Sequence, residues 1–83
     1  MFNWACEIYY SNPGDVEQIW KITNSYEEDI DIRCGRYTAD AKSIMALMMF
    51  LCTPIEIYIN SGKSGTYKLE NDLDRWQVVD YDG

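Results

Sequence analysis

Histidine is absent from the chain, and this limits what the remaining reactive side chains can do. Ser11, Ser25, Ser61 and Ser64 have no imidazole to take their protons, so a Ser-His-Asp triad cannot form. The densest carboxylates, Glu27, Glu28, Asp29 and Asp31, fall at a helix-to-strand corner without a glycine-rich cradle. They read as a solvated corner rather than an acid–base pair. Ser61-Gly62-Lys63-Ser64-Gly65 has a trace of a phosphate loop but lacks the G-x-x-x-x-G-K-[ST] spacing, and reads as a flexible turn. Cys6, Cys34 and Cys52 form no CxxC pair, so no metal site and no cofactor are expected. The three thiols are expected as small hydrophobes of the core. No constellation supports catalysis, and the expected class is non-enzymatic.

The 83 residues make one domain, 1–83, with 47% hydrophobic and 14% aromatic content, a composition that folds rather than staying disordered. A net charge of −7, with nothing to supply a basic stripe, disfavours nucleic acid and anionic membrane surfaces as partners. Met1 to Tyr10 has no basic start and carries Glu7, so it does not read as a signal peptide. With unpaired cysteines, this points to a reducing cytoplasm.

The run Ile44 to Cys52 is unbroken in apolar side chains. It is far short of the ~20 residues that span a bilayer. As a helix it is apolar all round, and a small domain buries only one face of a surface helix. Ile44, Leu47, Met48 and Leu51 fall on one stripe and read as core, with Met45, Met49 and Cys52 to the side. The remaining face needs a cover.

These residues must be held by a small set of elements. Phe2, Trp4, Cys6 and Ile8 alternate with Asn3, Ala5, Glu7 and Tyr9, the period of a half-buried first strand. Ser11-Asn12-Pro13-Gly14 reads as a turn, and Asp15 as the cap of a helix with Val16, Ile19, Trp20, Thr23 and Tyr26 on its apolar side. Ile30, Ile32 and Cys34 make a second strand, Gly35-Arg36 a turn, and Tyr37 to Ala39 a third strand. Ser43 is the expected N-cap of the apolar helix, and Pro54 its stop. Ile55, Ile57 and Ile59 make a fourth strand. Ser61 to Gly65 reads as a loop, and Leu69, Leu73 and Trp76 as a last helix. Residues 80–83 are expected to fray. The order β-α-β-β-α-β-α predicts an α+β open-faced β-sandwich, a four-stranded antiparallel sheet with three helices on one face.

Asp29-Ile30-Asp31-Ile32, followed by Ala39-Asp40-Ala41-Lys42-Ser43-Ile44-Met45, resembles HPr, the histidine-containing phosphocarrier family of the bacterial phosphotransferase system. The register runs back to Tyr26 and, with one residue deleted near Leu51 to Pro54, forward to Ile55-Glu56-Ile57-Tyr58-Ile59. The last helix matches only in pattern. In the family, a G-I-H-A-R-P motif opens the first helix and its histidine carries the phosphoryl group, held by the arginine and free backbone N–H groups. The resemblance puts Asn12 at the histidine position, Gly14 at the arginine and Asp15 at the proline. An amide nitrogen is not nucleophilic, and Asp15 repels a phosphoryl donor. The resemblance therefore implies the fold without the phosphocarrier activity.

It also implies two further roles. Ser43 matches a serine that some relatives have phosphorylated as a regulatory mark, although a plain N-cap explains the residue equally well. The exposed residues of the helix Ile44–Leu51, here Ile44, Met45, Met48 and Met49, match the family's docking surface for partner enzymes and regulators. The expected function is a non-enzymatic protein-binding or regulatory module, with a sugar-uptake enzyme or a carbon-catabolite regulator as partner. The rival is a diverged structural or assembly module, a homodimer sealed over the apolar helix.

Overall fold

A computed structural model of the protein describes residues 1–78; the expectation for residues 80–83 lies outside them. The elements run β1 (Phe2–Ile8), α1 (Pro13–Asn24), β2 (Ile30–Cys34), β3 (Tyr37–Asp40), α2 (Ile44–Met49), β4 (Ile55–Asn60) and α3 (Lys63–Asp72), then a 3-10 turn at Asp74–Trp76. The four strands form one sheet in the order β1-β4-β2-β3, every neighbouring pair antiparallel. The helices cover one face. This is the α+β open-faced sandwich that the sequence order predicts.

The core lies between that face and the helices. Cys6, Ile8, Ile30, Ile32, Ile55, Ile57 and Ile59 point inward and are buried. Val16 and Ile19 of α1, Leu47 of α2, and Leu69, Leu73 and Trp76 from the C-terminal region meet them. A fully buried aliphatic side chain contributes about 1.5–3 kcal/mol, so the isoleucine ladder is the main source of cohesion. The chain after α3 returns to the edge of β1: Ile8 bridges Gln77, Tyr9 N–H donates to Trp76 O, and Val78 N–H donates to Glu7 O.

Several boundaries differ from expectation. Asn12, not Asp15, caps α1, with Pro13 at the first helical position, where its missing N–H costs nothing. The helix ends at Asn24, so Tyr26 lies beyond it; its ring is buried and its hydroxyl donates to Asp72. Ser61 to Gly65 is not all loop, because α3 starts at Lys63 and breaks before Trp76. Gly65 packs closely there: a Cβ at this position would fall 2.1 Å from Ser61 Oγ, so that side chain would have to move. The apolar helix stops at Met49, not Leu51, and Cys52 turns the chain with φ 67°.

The core assignment also needs correction. Met48 is exposed and Ile44 partly so, while Phe50 is buried in their place. A helix of only six residues cannot extend its stripe to Leu51. Of the cysteines only Cys6 is core; Cys34 is half-buried and Cys52 exposed. The alternation of β1 breaks at Ala5, where a bulge shifts the register between Trp4 and Cys6. Ala5 is buried and Trp4 turns to the open face, opposite Tyr58.

Candidate functional site

The first helix begins where the β1–α1 connection turns. Asn12 has extended backbone, and its Oδ1 accepts the Gly14 N–H at 2.9 Å. Its carbonyl accepts the Asp15 N–H at 2.9 Å. The side chain is thus engaged as a cap, satisfying one of the helix's orphan donors. Asp15 adds a carboxylate in the first turn, where the helix dipole favours it. No cation lies among Ser11, Asn12, Pro13, Gly14 and Asp15. The first turn thus holds an amide used as a cap, a carboxylate, the Ser11 hydroxyl and backbone N–H groups of Gly14 and Asp15 that are already bonded to Asn12, with no imidazole among them.

The connection is pinned to α2. Tyr10 is buried; its hydroxyl donates to Leu47 O at 2.5 Å and its carbonyl accepts the Cys52 N–H at 2.8 Å. Burial pushes the Tyr10 phenol up to about 12, so it stays protonated as a donor. The entry to α1 is therefore fixed against α2 and the turn that follows it.

The start of α2 is fixed from the other side. Trp20 Nε1 donates to Lys42 O at 2.9 Å, and Thr23 Oγ1 to Ala41 O at 2.8 Å. Asp40 accepts the Lys42 N–H on its carboxylate and the Ser43 N–H on its carbonyl, closing a turn. Lys42 Nζ reaches back to Tyr26 O. Ser43 emerges half-buried in extended conformation, and its Oγ accepts the Ala46 N–H at 3.3 Å. The hydroxyl is the N-cap of α2.

Beyond that cap, Ile44, Met45, Met48 and Met49 are 40%, 76%, 59% and 72% exposed, while Ala46, Leu47 and Phe50 are buried. The spacing i, i+1, i+4 and i+5 places the four side chains on one helix face. The structure thus brings together the candidate surface residues. Ser43 stands at the head of that face, and Asn12 follows Tyr10 on the connection tied to the helix end.

Sequence reasoning missed other surface features. Tyr9, Pro54, Arg75, Trp76, Gln77 and Val78 line an open groove of about 470 Å³. A smaller depression of about 230 Å³ at the edge of the sheet is lined by Asn3 and Trp4 of β1 and by Lys63, Thr66 and Tyr67 of α3. Trp4 itself leaves no signal in the pattern, because the bulge that turns it out has no composition of its own. Among the described residues no helix is long and apolar enough to cross a membrane, and no group of His, Cys, Asp or Glu could hold a metal ion.

No family model and no curated protein matches the chain. Among solved structures, the crystal structure of HPr-C-His from Thermoanaerobacter tengcongensis superposes with a TM-score of 0.63 at 13% identity, covering 88% of this chain and 86% of that one. At that identity the likeness is one of fold, and the chain has an HPr-like fold.

Proposed function

We propose that the chain is an HPr-like protein without phosphocarrier activity, which acts by docking a protein partner on Ile44, Met45, Met48 and Met49. The observation that supports this most is the exposure of those four apolar side chains on one face of α2. Methionine adapts its shape to different partners, and contiguous apolar patches on small monomers mark interaction sites. The lack of any histidine, with Asn12 engaged as a cap, argues against carrying phosphate and for a role by binding alone. The resemblance at Ala41-Lys42-Ser43-Ile44-Met45 suggests a sugar-uptake enzyme or a carbon-catabolite regulator as the partner class, in the cytoplasm. Phosphorylation of Ser43 would put a dianion at the N-terminus of α2, beside Met45, and modulate docking.

The rival reading, a homodimer sealed over α2, rests on the same exposed face. Sedimentation velocity separates the two. A monomer that binds a purified HPr-dependent regulator, with binding lost in Met45→Glu/Met49→Glu, supports the leading reading. A tight dimer dissociated by the same pair of substitutions supports the rival. Incubation with radiolabelled phosphoenolpyruvate and the family's donor enzyme is expected to leave the chain unlabelled, and acid-labile label would overturn the proposal.

A further inference from the structure

The helices leave the other face of the sheet open. Cross-strand pairing sets its rows: Trp4, Tyr58, Asp31 and Asp40 lie in one, and Glu7, Glu56, Arg33 and Thr38 in the next. Three features of this face are unfavourable or idle for folding alone.

The first is Trp4. Alternation from Ile8 and Cys6 would put it inward, and the bulge at Ala5 turns it out, leaving the indole 52% exposed. Bulges recur where a side chain has to be re-aimed. The second is the charge pattern. Asp31 faces Asp40 and Glu7 faces Glu56 directly across strands, an arrangement that destabilises a sheet. The salt bridges among the described residues are Lys21–Glu17 and Lys68–Asp72, so none neutralises these carboxylates. The Asp40 carboxylate accepts one backbone N–H, from Lys42. Burial and the neighbouring Asp40 and Asp29 raise the Asp31 carboxyl above its ordinary range, against the pull of Arg33. The third is Arg33, the one cation in the two rows. Its guanidinium lies 4.0 Å from the Tyr58 ring centroid and 6.0 Å from that of Phe2, and the Tyr58 hydroxyl donates to Glu56 at 2.9 Å.

We propose that this open face is a docking surface for a lysine- or arginine-bearing segment of a protein partner, seated on Trp4 and Tyr58 and flanked by Glu7, Asp31 and Glu56. Charge selects the occupant. The two rows hold Glu7, Asp31, Asp40 and Glu56 against Arg33 alone, on a chain of net charge −7. A second copy of this face, a nucleic acid or an anionic bilayer is repelled, whereas a segment with more than one basic side chain can place one against each like-charge pair. An exposed indole presents its ring to the same cation, and Arg33 on Tyr58 already shows that contact within the face. The surface is separate from the α2 patch, which lies on the helical side of the sheet, and does not depend on it.

The test is an NMR titration of the labelled full chain with a short peptide alternating lysine and threonine, and with its glutamate counterpart. The lysine peptide is expected to give saturable shifts at Trp4, Asp31, Glu56 and Tyr58, and the glutamate peptide none. Trp4→Ala should weaken binding roughly tenfold, the scale of one desolvated cation–π contact, and Glu56→Gln should weaken it through loss of a carboxylate facing the cation, while the dispersion of the spectrum shows that both variants are folded. Glu17→Gln, on exposed α1, should leave the affinity unchanged. Shifts spread over α1, equal weakening by Glu17→Gln, or unchanged affinity in Trp4→Ala would overturn the proposal.

Discussion

The Tyr10 hydroxyl donates to the Leu47 carbonyl across 37 positions of sequence, joining the entry of α1 to the middle of α2. Both groups are buried, so neither can turn to water as a substitute. Tyr10→Phe keeps the ring and leaves the carbonyl short of a donor, which costs about 1–3 kcal/mol. Urea unfolding should show a lower midpoint with an unchanged slope. A slope that fell as well would mean that α2 detaches before the rest of the domain unfolds.

Ser43 should behave as a cap whatever else it does. Ser43→Ala removes the acceptor for the Ala46 N–H and is expected to cost about 0.5–2 kcal/mol in urea titration. Ser43→Asp should cost much less, because a carboxylate both caps and complements the helix dipole. Equal stability of the Ala variant and the parent would show that the cap contributes nothing.

Asp31 gives a prediction with a definite sign. Its folded carboxyl titrates above the ordinary value of 3.8, chiefly through burial, then through Asp40 and Asp29 against Arg33. The folded state therefore binds this proton more tightly than the unfolded chain does. Its ionised form opposes folding at neutral pH, and that opposition is relieved as pH falls through the raised value towards 3.8. Asp31→Asn should raise the melting temperature at pH 7 and shrink its gap to the parent under mild acid. Loss of stability at pH 7 would show that the carboxylate makes a favourable contact outweighing its burial.

The thiols should separate by reactivity. Cys6 is buried and its pKa is pushed up to about 12, by burial first and by Glu70 second, so little thiolate forms. Cys52 is exposed at a turn. A disulfide reagent such as dithiobis-nitrobenzoate should label Cys52 rapidly in the native protein and Cys6 only on unfolding. Prompt labelling of Cys6 would reveal local opening of β1.

The strands and their order were legible because isoleucine at every second position of β2 and β4 leaves one face to bury. Ser43 was legible for a local reason too: a serine ahead of an apolar run has few better places than a cap. What failed were features set by tertiary context. Asn12 won the cap from Asp15 because Pro13 can enter a first turn as well as end a strand. Met48, read as core, is exposed, and Phe50, left unassigned by the stripe, is buried, because a six-residue α2 is too short to carry a stripe to Leu51. Trp4 turned outward through a bulge that periodicity cannot reveal. The apolar surface of α2 was legible in kind, since the run from Ile44 to Cys52 exceeds what one buried helix face can absorb. The open face was not, because its rows exist only once three other strands have lined up.

The sheet order also has a kinetic consequence. β4, the last strand among the described residues, lies between β1 and β2, and among those residues it is the only strand that pairs with β1. A nascent chain that ends at Thr53 holds a hairpin and two helices, yet its first strand has nothing to lie against. Only when residues 55–60 have left the ribosome can the two halves of the sheet join, across loops that close contacts of high sequence separation. The domain should therefore form in a single late step, and a fragment lacking β4 should stay unfolded until that strand is supplied in trans.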